Sequence, residues 1–416
     1  MKIEQKQTKS NHLGWMYSQD LHMKLEMMKH HLLICQMVIQ ELLEEEVRNL
    51  AGERYSRNKP YDGKYSRWGM NPGSVRLGKE KVPIQVPRVY NNECGVHEPL
   101  AMYQQLHSLE IPSESMIKGI LAGLSMGNYG GVIQELTDSF GLSRSTISQK
   151  FIEESTRRVE EFRNRDLSKH AVIALFVDGK YLAKEQVVIV LGITSQGEKI
   201  PLGFVHTTTE NALSIKQLFQ SLLKRGLHYT RGLLCVVDGS KGIEKAIEMV
   251  FGKHAVVQRC QWHKRENILS YLPEGLKAEF KRKIDRAYAE ETYETARSKL
   301  LQIRKELERT NISAARSLDE GLEQTLTLHR LGLTGLFRTS FSTTNCIENL
   351  NLGIARYLKN VKNWKSSSQR ERWVTVALLE IETRFKKVHN YKKLSVLMTA
   401  IEQEVVKQKR RNISAA

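Results

Sequence analysis

With 416 residues the chain can bury a substantial core and is expected to divide into two or three domains, because single cores rarely grow beyond roughly 250–300 residues. A formal net charge of +18 and a pI near 9.6 point away from ordinary small-molecule metabolism and towards a polyanion held through phosphate contacts. Five scattered cysteines with no Cys-x-x-Cys pair speak against a disulfide framework, no apolar run reaches the roughly 18–20 residues of a membrane span, and the polar start MKIEQKQTKSN does not read as a signal peptide.

The first predicted element is a helix over 21–50, where Leu21, Leu25, Met28, Leu32, Cys35, Ile39 and Leu42 recur in steps of four and three. Two readings stay open: a short dimer zipper, or a helix packed on its own domain. Residues 54–90 then carry Arg54, Arg57, Lys59, Lys64, Arg67, Arg76, Lys79, Lys81 and Arg88 against only Asp62 and Glu80, with Tyr55, Tyr61, Tyr65 and Trp68 interleaved. Within them GSVRLGKEKVPIQVPRVY alternates as a small hairpin whose prolines suit edge strands. Such an element is either a DNA contact or a solvated charged face.

From Pro112 to about Phe162 the period is helical again, and GGVIQELTDSFGLSRSTISQKFIEES reads as helix, turn at Gly141, second helix with Ser143 as its N-cap. That is the layout of a helix-turn-helix, with Ile133, Leu136, Leu142 and Ile147 inside and Arg144, Ser145, Thr146 and Gln149 facing a major groove. Any small helical hairpin has the same outline.

The middle of the chain alternates apolar runs and helices. AVIALFVD (171–178), QVVIVLGIT (186–194) and KIPLGFVHT (199–207) are predicted strands, followed by a helix over 210–225, a strand over 233–238, a helix over 241–251 and a strand over 255–258. This order is that of a ribonuclease-H-like α/β sheet. Residues 264 to about 335, dense in Lys, Glu, Arg and Leu, read as an all-helical insertion, and helices are expected again from Thr343 and over 369–388. The last segment, ending KQKRRNISAA, reads as a basic mobile tail.

Chemistry enters through three acids. Asp178 and Asp238 each follow a run too apolar for a surface strand, so each is expected at the carboxyl end of a buried strand, where open α/β sheets place their ligand sites. Asp-Gly is also a common turn pair, and either one alone is explained by that. If the strands are neighbours, two carboxylates meet and require a cation between them. Glu348 is the preferred third acid because Ser342, Thr343, Thr344, Asn345 and Asn349 around it are polar and uncharged, whereas Asp285, Glu290, Glu291 and Asp319 lie in a charge-rich helical stretch. A second reading makes Asn345-x-x-Glu348 a capping box. Two hard-oxygen-ligated divalent ions, Mg²⁺ or Mn²⁺, are the cofactors such an acid set suits, and with no GxxxxGK[ST] loop ATP is not expected.

Cys260-Gln-Trp-His263 and Cys94-Gly-Val-His97 share a spacing that a Cys₂His₂ zinc site could use, but they fall in separate apparent domains. The other reading has Cys260 and His263 buried beside the strand 255–258, with Trp262 either in the core or stacking a base. Lys264 and Arg265 follow directly, and Arg356, Lys359, Lys362, Lys365, Arg370 and Arg372 follow Glu348; these are the candidate phosphate contacts, or else a solvated helix face.

Taken together, FVDGKYLAKE, VVDGSKG, QRCQWHK and TTNCIENLN, in that order, resemble the Mutator-type transposases of bacterial insertion sequences, over roughly residues 170–390. The resemblance implies that Asp178, Asp238 and Glu348 are a DDE triad, that Cys260 and His263 are the family's Cys-x-x-His pair accompanying the core without ligating the catalytic metals, and that the chain binds the terminal inverted repeats of its element. It also implies water attack on a phosphodiester to free a 3′-OH, attack of that 3′-OH on target DNA, a homo-oligomer that pairs two ends, no membrane, and a cytoplasmic, nucleoid-associated protein. The stretch LNLGIARYLKN after the glutamate is thinner in arginine than the family pattern, which leaves the DNA contacts there open.

The expected organisation is an N-terminal helix with the basic β-element (1–100), a helical DNA-binding region (101–168), the first part of a ribonuclease-H-like core (169–270), a helical insertion (271–340), the second part of the core (341–390) and the tail (391–416). Two other functions fit the same sequence: a domesticated or inactive transposase acting as a DNA-binding regulator, and a structure-selective nuclease.

Overall fold

The computed structural model describes residues 20–29, 31–56, 59–77, 80–107, 113–140, 143–182, 185–207, 211–361 and 363–413. The chain is a mixed α/β protein with two sheets and forms two compact units, Met1–Gly123 with Asn128–Phe151, and Leu124–Gly127 with Ile152–Ala416.

In the first unit helices α1 (Leu21–Lys29) and α2 (His31–Ala51) precede a hairpin of β1 (Tyr65–Leu77) and β2 (Glu80–Asn91), with β3 (Val96–Glu98) added beside β2. The hairpin starts earlier than the alternation alone implied. Ile39, Leu43 and Val47 of α2 pack on Val75, Val82, Ile84 and Val89 of the hairpin; of the heptad-seam residues, Ile39 is buried in this cluster and Leu32 packs against it. Gln36 and Gln40 also reach the proline-bearing stretch of β2, donating to the Pro83 and Gln85 carbonyls at 2.7 Å each. Helices α3 (Ala101–His107), α4 (Ser113–Met126) and α5 (Tyr129–Phe140) follow, and α6 (Arg144–Arg163) begins in this unit.

The second unit is built on a five-stranded sheet of β4 (Val172–Leu182), β5 (Glu185–Thr194), β6 (Lys199–Thr207), β7 (Leu233–Val237) and β8 (Ala255–Arg259), in the order β6-β5-β4-β7-β8. β4, β5 and β6 are antiparallel neighbours, while β7 and β8 run parallel to β4. Because side chains alternate across a strand, Leu175 and Val177 of β4 join the core beneath α7 (Ala212–Lys224) and α8 (Lys241–Phe251), which supply Phe219 and Phe251. On the other face Phe176 stacks on Phe341 with ring centres 5.8 Å apart.

After β8 the chain is helical: α9 (Gln261–Ser270), α10 (Glu274–Tyr288), α11 (Tyr293–Thr310), α12 (Ile312–Asp319), α13 (Leu322–Thr325), α14 (Thr327–Arg330), α15 (Thr334–Phe341), α16 (Asn345–Leu358), α17 (Ser367–Glu382) and α18 (Leu394–Ile413). From α9 to α13 a separate apolar cluster forms around Phe280, Ile284, Leu300, Leu307 and Leu318. The expected mobile tail is instead α18: Leu394, Leu397, Ile401 and Val405 recur at steps of three and four and are all buried, and Glu404 pairs with Arg330. Basic composition masked that apolar stripe. Among the described residues no helix is long and apolar enough to cross a membrane.

Candidate functional site

The parallel register of β4 and β7 pairs Ala174 with Leu234 and ends with Val177 opposite Val237. The next residue of each strand is an aspartate, so Asp178 and Asp238 emerge side by side at one end of the sheet. Their backbones differ. β7 stops at Val237, Asp238 Oδ1 accepts the Ser240 N–H at 2.9 Å, and Gly239 adopts φ +100, where an added Cβ would drive into the Arg259 guanidinium. β4 continues to Leu182 against β5, so Asp178 lies inside a strand rather than at its end, and it is only 6% exposed. The strand continues because β5 supplies a partner after β7 has ended.

Helix α16 brings the third acid. Asn351 donates to Asp178 Oδ2 at 2.6 Å, docking the helix on β4, and Glu348 sits one turn earlier on the same face. The capping-box reading is out of register by one residue: Thr344 is the N-cap, Asn345 is already helical, and Glu348 accepts the Thr344 hydroxyl at 2.6 Å instead of capping Asn345.

The Cys-x-x-His pair links these pieces. Cys260 donates its backbone N–H to the Val237 carbonyl at 2.7 Å and N-caps α9, its sulfur accepting the His263 N–H at 3.5 Å and the Thr344 N–H at 3.4 Å. Gln261 N–H reaches the Ser342 carbonyl at 2.9 Å, which ties the start of α9 to the segment before α16. His263 Nδ1 then lies 3.2 Å from Thr344 Oγ1 and 3.8 Å from Glu348 Oε1.

Electrostatics follow from this crowding. Burial, then the neighbouring charge of Asp238, pushes the Asp178 carboxyl up to about 7, with Glu348 adding to the rise and His263 and Asn351 opposing it. Burial disfavours the His263 imidazolium, but the Cys260 sulfur and the charges of Glu348 and Asp238 outweigh it and hold the ring at about 9. Burial likewise works to raise the Cys260 thiol, and the hydrogen bonds from His263 and Thr344 win, leaving it below the ordinary value.

Other expected site residues fall in different places. Lys264 is a correction: it is fully buried, with Nζ donating to the Ser317 carbonyl at 2.5 Å, because its position on α9 turns it towards α12 and away from solvent. Arg265 is ion-paired with Asp285 at 2.6 Å and Glu266 at 2.8 Å, its side chain mostly buried. Trp262 is 42% exposed and meets the His263 ring edge-on. Arg356 is exposed on α16, two turns beyond Glu348. Of the rival third acids, three are engaged elsewhere, Asp285 with Arg265, Glu290 with Lys299 and Asp319 with Arg304. Cys94 and His97 belong to the first unit and Cys260 and His263 to the second.

In the first unit the expected turn at Gly141 and the expected core residue Leu142 lie outside the described residues. Ser143 Oγ accepts the Thr146 N–H at 3.1 Å, the N-cap read from the sequence, and Arg144, Ser145 and Gln149 are exposed while Thr146 is half-buried. Arg144 donates to Gln134 Oε1 at 3.0 Å.

Two residues of the second unit escaped the sequence reading. Asn351 had a signal, a polar residue three positions after Glu348 on an otherwise apolar helix face. Thr344 had none, because a threonine before a helix is ordinarily only a cap.

The family model described as "Transposase, Mutator family" matches residues 7–388, well beyond the stretch of resemblance read from the motifs. The transposase for insertion sequence element IS256 in transposon Tn4001 of Staphylococcus aureus is 23% identical over 359 residues, 83% of this chain and 88% of that protein. The transposase for insertion sequence element IS905 of Lactococcus lactis subsp. lactis is 27% identical over 333 residues, 76% of this chain and 82% of the relative. The transposase for insertion sequence element IS6120 of Mycolicibacterium smegmatis is 31% identical over 162 residues, 37% of this chain and 49% of its own length.

Proposed function

The chain belongs to the Mutator family of transposases, and from that premise we propose that it is the DNA transposase of an insertion sequence, binding the terminal inverted repeats and cutting and joining DNA strands at Asp178, Asp238 and Glu348. The observation that carries this reading is the meeting of Asp178 with Asp238 at the end of the β4–β7 register, with α16 docked on Asp178 through Asn351.

The donor set fits divalent cations. Burial, then the charges of Asp238 and Glu348, push the Asp178 carboxyl up to about 7, a cost that hard cations bound by oxygen ligands offset. Asp178, Asp238 and Glu348 would hold two Mg²⁺ or Mn²⁺ ions, which when bound supply an activated oxygen nucleophile and a counter-charge for the leaving oxygen. Asn351 orients Asp178, and the Ser240 N–H orients Asp238. In the first step water attacks a phosphodiester at the element end and the 3′-oxygen leaves as a 3′-OH; in the second that 3′-OH attacks a target phosphodiester and displaces another 3′-oxygen. No ATP is required.

The strand order, three antiparallel strands followed by two parallel ones, supports a ribonuclease-H-like core, with the separately cored helices between β8 and α16 as its insertion. The domain limits read from the sequence, apart from the tail that is α18, stand as part of this proposal, as do a helix-turn-helix presenting Arg144, Ser145, Thr146 and Gln149, contacts from Trp262 and Arg356, a homo-oligomer that pairs two ends, and action in the cytoplasm at the nucleoid.

The test uses purified protein, Mg²⁺ and duplex DNA carrying the sequences that flank the gene. Wild type cleaves and joins; Asp178→Asn, Asp238→Asn and Glu348→Gln bind the duplex but do neither. Full strand transfer by Asp238→Asn sinks the assignment.

A further inference from the structure

The proposed chemistry leaves the Cys260–His263 pair without a step, yet its atoms converge with Glu348. Cys260 Sγ, a His263 ring nitrogen and a Glu348 carboxylate oxygen lie within 4.8 Å of one another. Thiolate, imidazole and carboxylate at that spacing resemble a soft-metal site. The point where they converge is already filled by a hydroxyl: Thr344 Oγ1 is 2.6 Å from Glu348 Oε1, 3.2 Å from His263 Nδ1 and 3.4 Å from Cys260 Sγ. Thr344 and Cys260 are both wholly buried.

A hydroxyl has one proton to give and two lone pairs. The shortest contact assigns that proton to Glu348, and the imidazole N–H then donates into the Thr344 oxygen. The Thr344 backbone is held as well, its N–H on the Cys260 sulfur and its carbonyl accepting the Glu348 N–H at 3.0 Å. Glu348 is a flexible side chain with partial solvent access, and no other hydrogen bond to its carboxylate is found among the described residues.

We propose that Thr344 is a positioning residue whose buried hydroxyl, itself seated by Cys260 and His263, fixes the Glu348 carboxylate for divalent-cation binding. This rests on the reading of Asp178, Asp238 and Glu348 as the cation-holding acids. The Cys-x-x-His pair thereby acts two contacts away from Glu348, through sulfur and imidazole on one threonine, much as outer hydrogen bonds orient ligands in other metal sites.

The experiment titrates Mn²⁺ into the DNA-free full-length chain, following free Mn²⁺ by electron paramagnetic resonance, for wild type, Thr344→Val, Thr344→Ser and Glu348→Gln. Valine keeps the shape and removes the hydroxyl; serine keeps the hydroxyl and removes the methyl. Thr344→Val is expected to weaken Mn²⁺ binding about 10-fold, the lower end for loss of such a partner, and Thr344→Ser to restore it to within about 3-fold. In parallel, Mn²⁺-dependent nicking of a plasmid carrying the flanking DNA should need about tenfold more Mn²⁺ for half-maximal rate in Thr344→Val. Wild-type Mn²⁺ affinity in Thr344→Val, or equal damage from serine and valine, overturns the proposal in favour of plain packing. A thiolate-to-cobalt absorption band on adding Co²⁺ overturns it in favour of a soft-metal site. If Glu348→Gln also binds Mn²⁺ as wild type does, the acid assignment falls; if Glu348→Gln loses binding and Thr344→Val does not, only the positioning role falls.

Discussion

Asp178-Gly179 and Asp238-Gly239 are the same dipeptide after the same kind of apolar run, and the backbone treats them differently. The first lies within β4, paired to β5 on both sides of the aspartate; the second leaves β7 at once, with Gly239 at φ +100 against Arg259. Both carboxylates still reach one place, because the β4–β7 register ends one residue before each. The difference teaches that a site can be set by where two strands pair rather than by what either turn does.

That contrast can be broken or sharpened experimentally. The largest expected effect is shared by the two aspartates: Asp178→Asn and Asp238→Asn each lower DNA cleavage at least about 10³-fold, as loss of direct transition-state stabilisation does. Unequal losses, with one variant near wild type in a gel cleavage assay, would show that only one of the two aspartates belongs to the site.

The two glycines should then separate. Gly239→Ala forces a Cβ into the Arg259 guanidinium at a left-handed φ and is expected to cost about 2–4 kcal/mol. Gly179→Ala, in extended backbone, should stay within about 1 kcal/mol by urea denaturation. Equal costs would mean that Gly239 is not held where the structure places it.

A smaller effect concerns charge. Asp178 titrates near 7 in the folded chain against an ordinary 3.8, so the folded state binds its proton more tightly than the unfolded one. Its contribution to stability is full below about 3.8 and is lost as pH rises through 7. Above pH 7 the metal-free Asp178→Asn protein should therefore be more stable than wild type by about 1–2 kcal/mol. Mg²⁺ should raise the melting temperature of wild type more than that of the variant. A variant less stable than wild type at pH 8 without metal contradicts the crowded-carboxylate account.

The smallest effect is expected at Lys264. Because its ammonium is buried against the Ser317 carbonyl, Lys264→Met should leave DNA affinity and its salt dependence within about twofold of wild type, whereas Arg356→Ala, on an exposed helix face, should lower both. A reduced salt slope in Lys264→Met would return that residue to the DNA.

Much of this was legible in the chain. The strands of the large sheet fall within a few residues of their sequence-based limits, because a buried parallel strand must be a short apolar run and a helix between such strands must show its own period. The N-cap at Ser143 and the helix carrying Glu348 were readable for the same local reasons. What misled was composition read without neighbours. Basic residues in 391–416 hid the stripe Leu394, Leu397, Ile401 and Val405, and the charges of Lys264 and Arg265 implied solvent where the structure supplies Ser317, Asp285 and Glu266 as partners.

By itself the sequence determined the strands of the large sheet and the helices between them, that the chain is strongly basic, and which acids stand beside apolar runs, since these depend on residue type and short-range period. Only the tertiary structure decided that Asp178 and Asp238 are adjacent, that Asn351 docks α16 on β4, and that Thr344 stands where Cys260, His263 and Glu348 converge. Those contacts join residues up to 173 positions apart. They depend on strand register and helix docking, which minimise exposed apolar surface over the whole unit and are not set by any one segment.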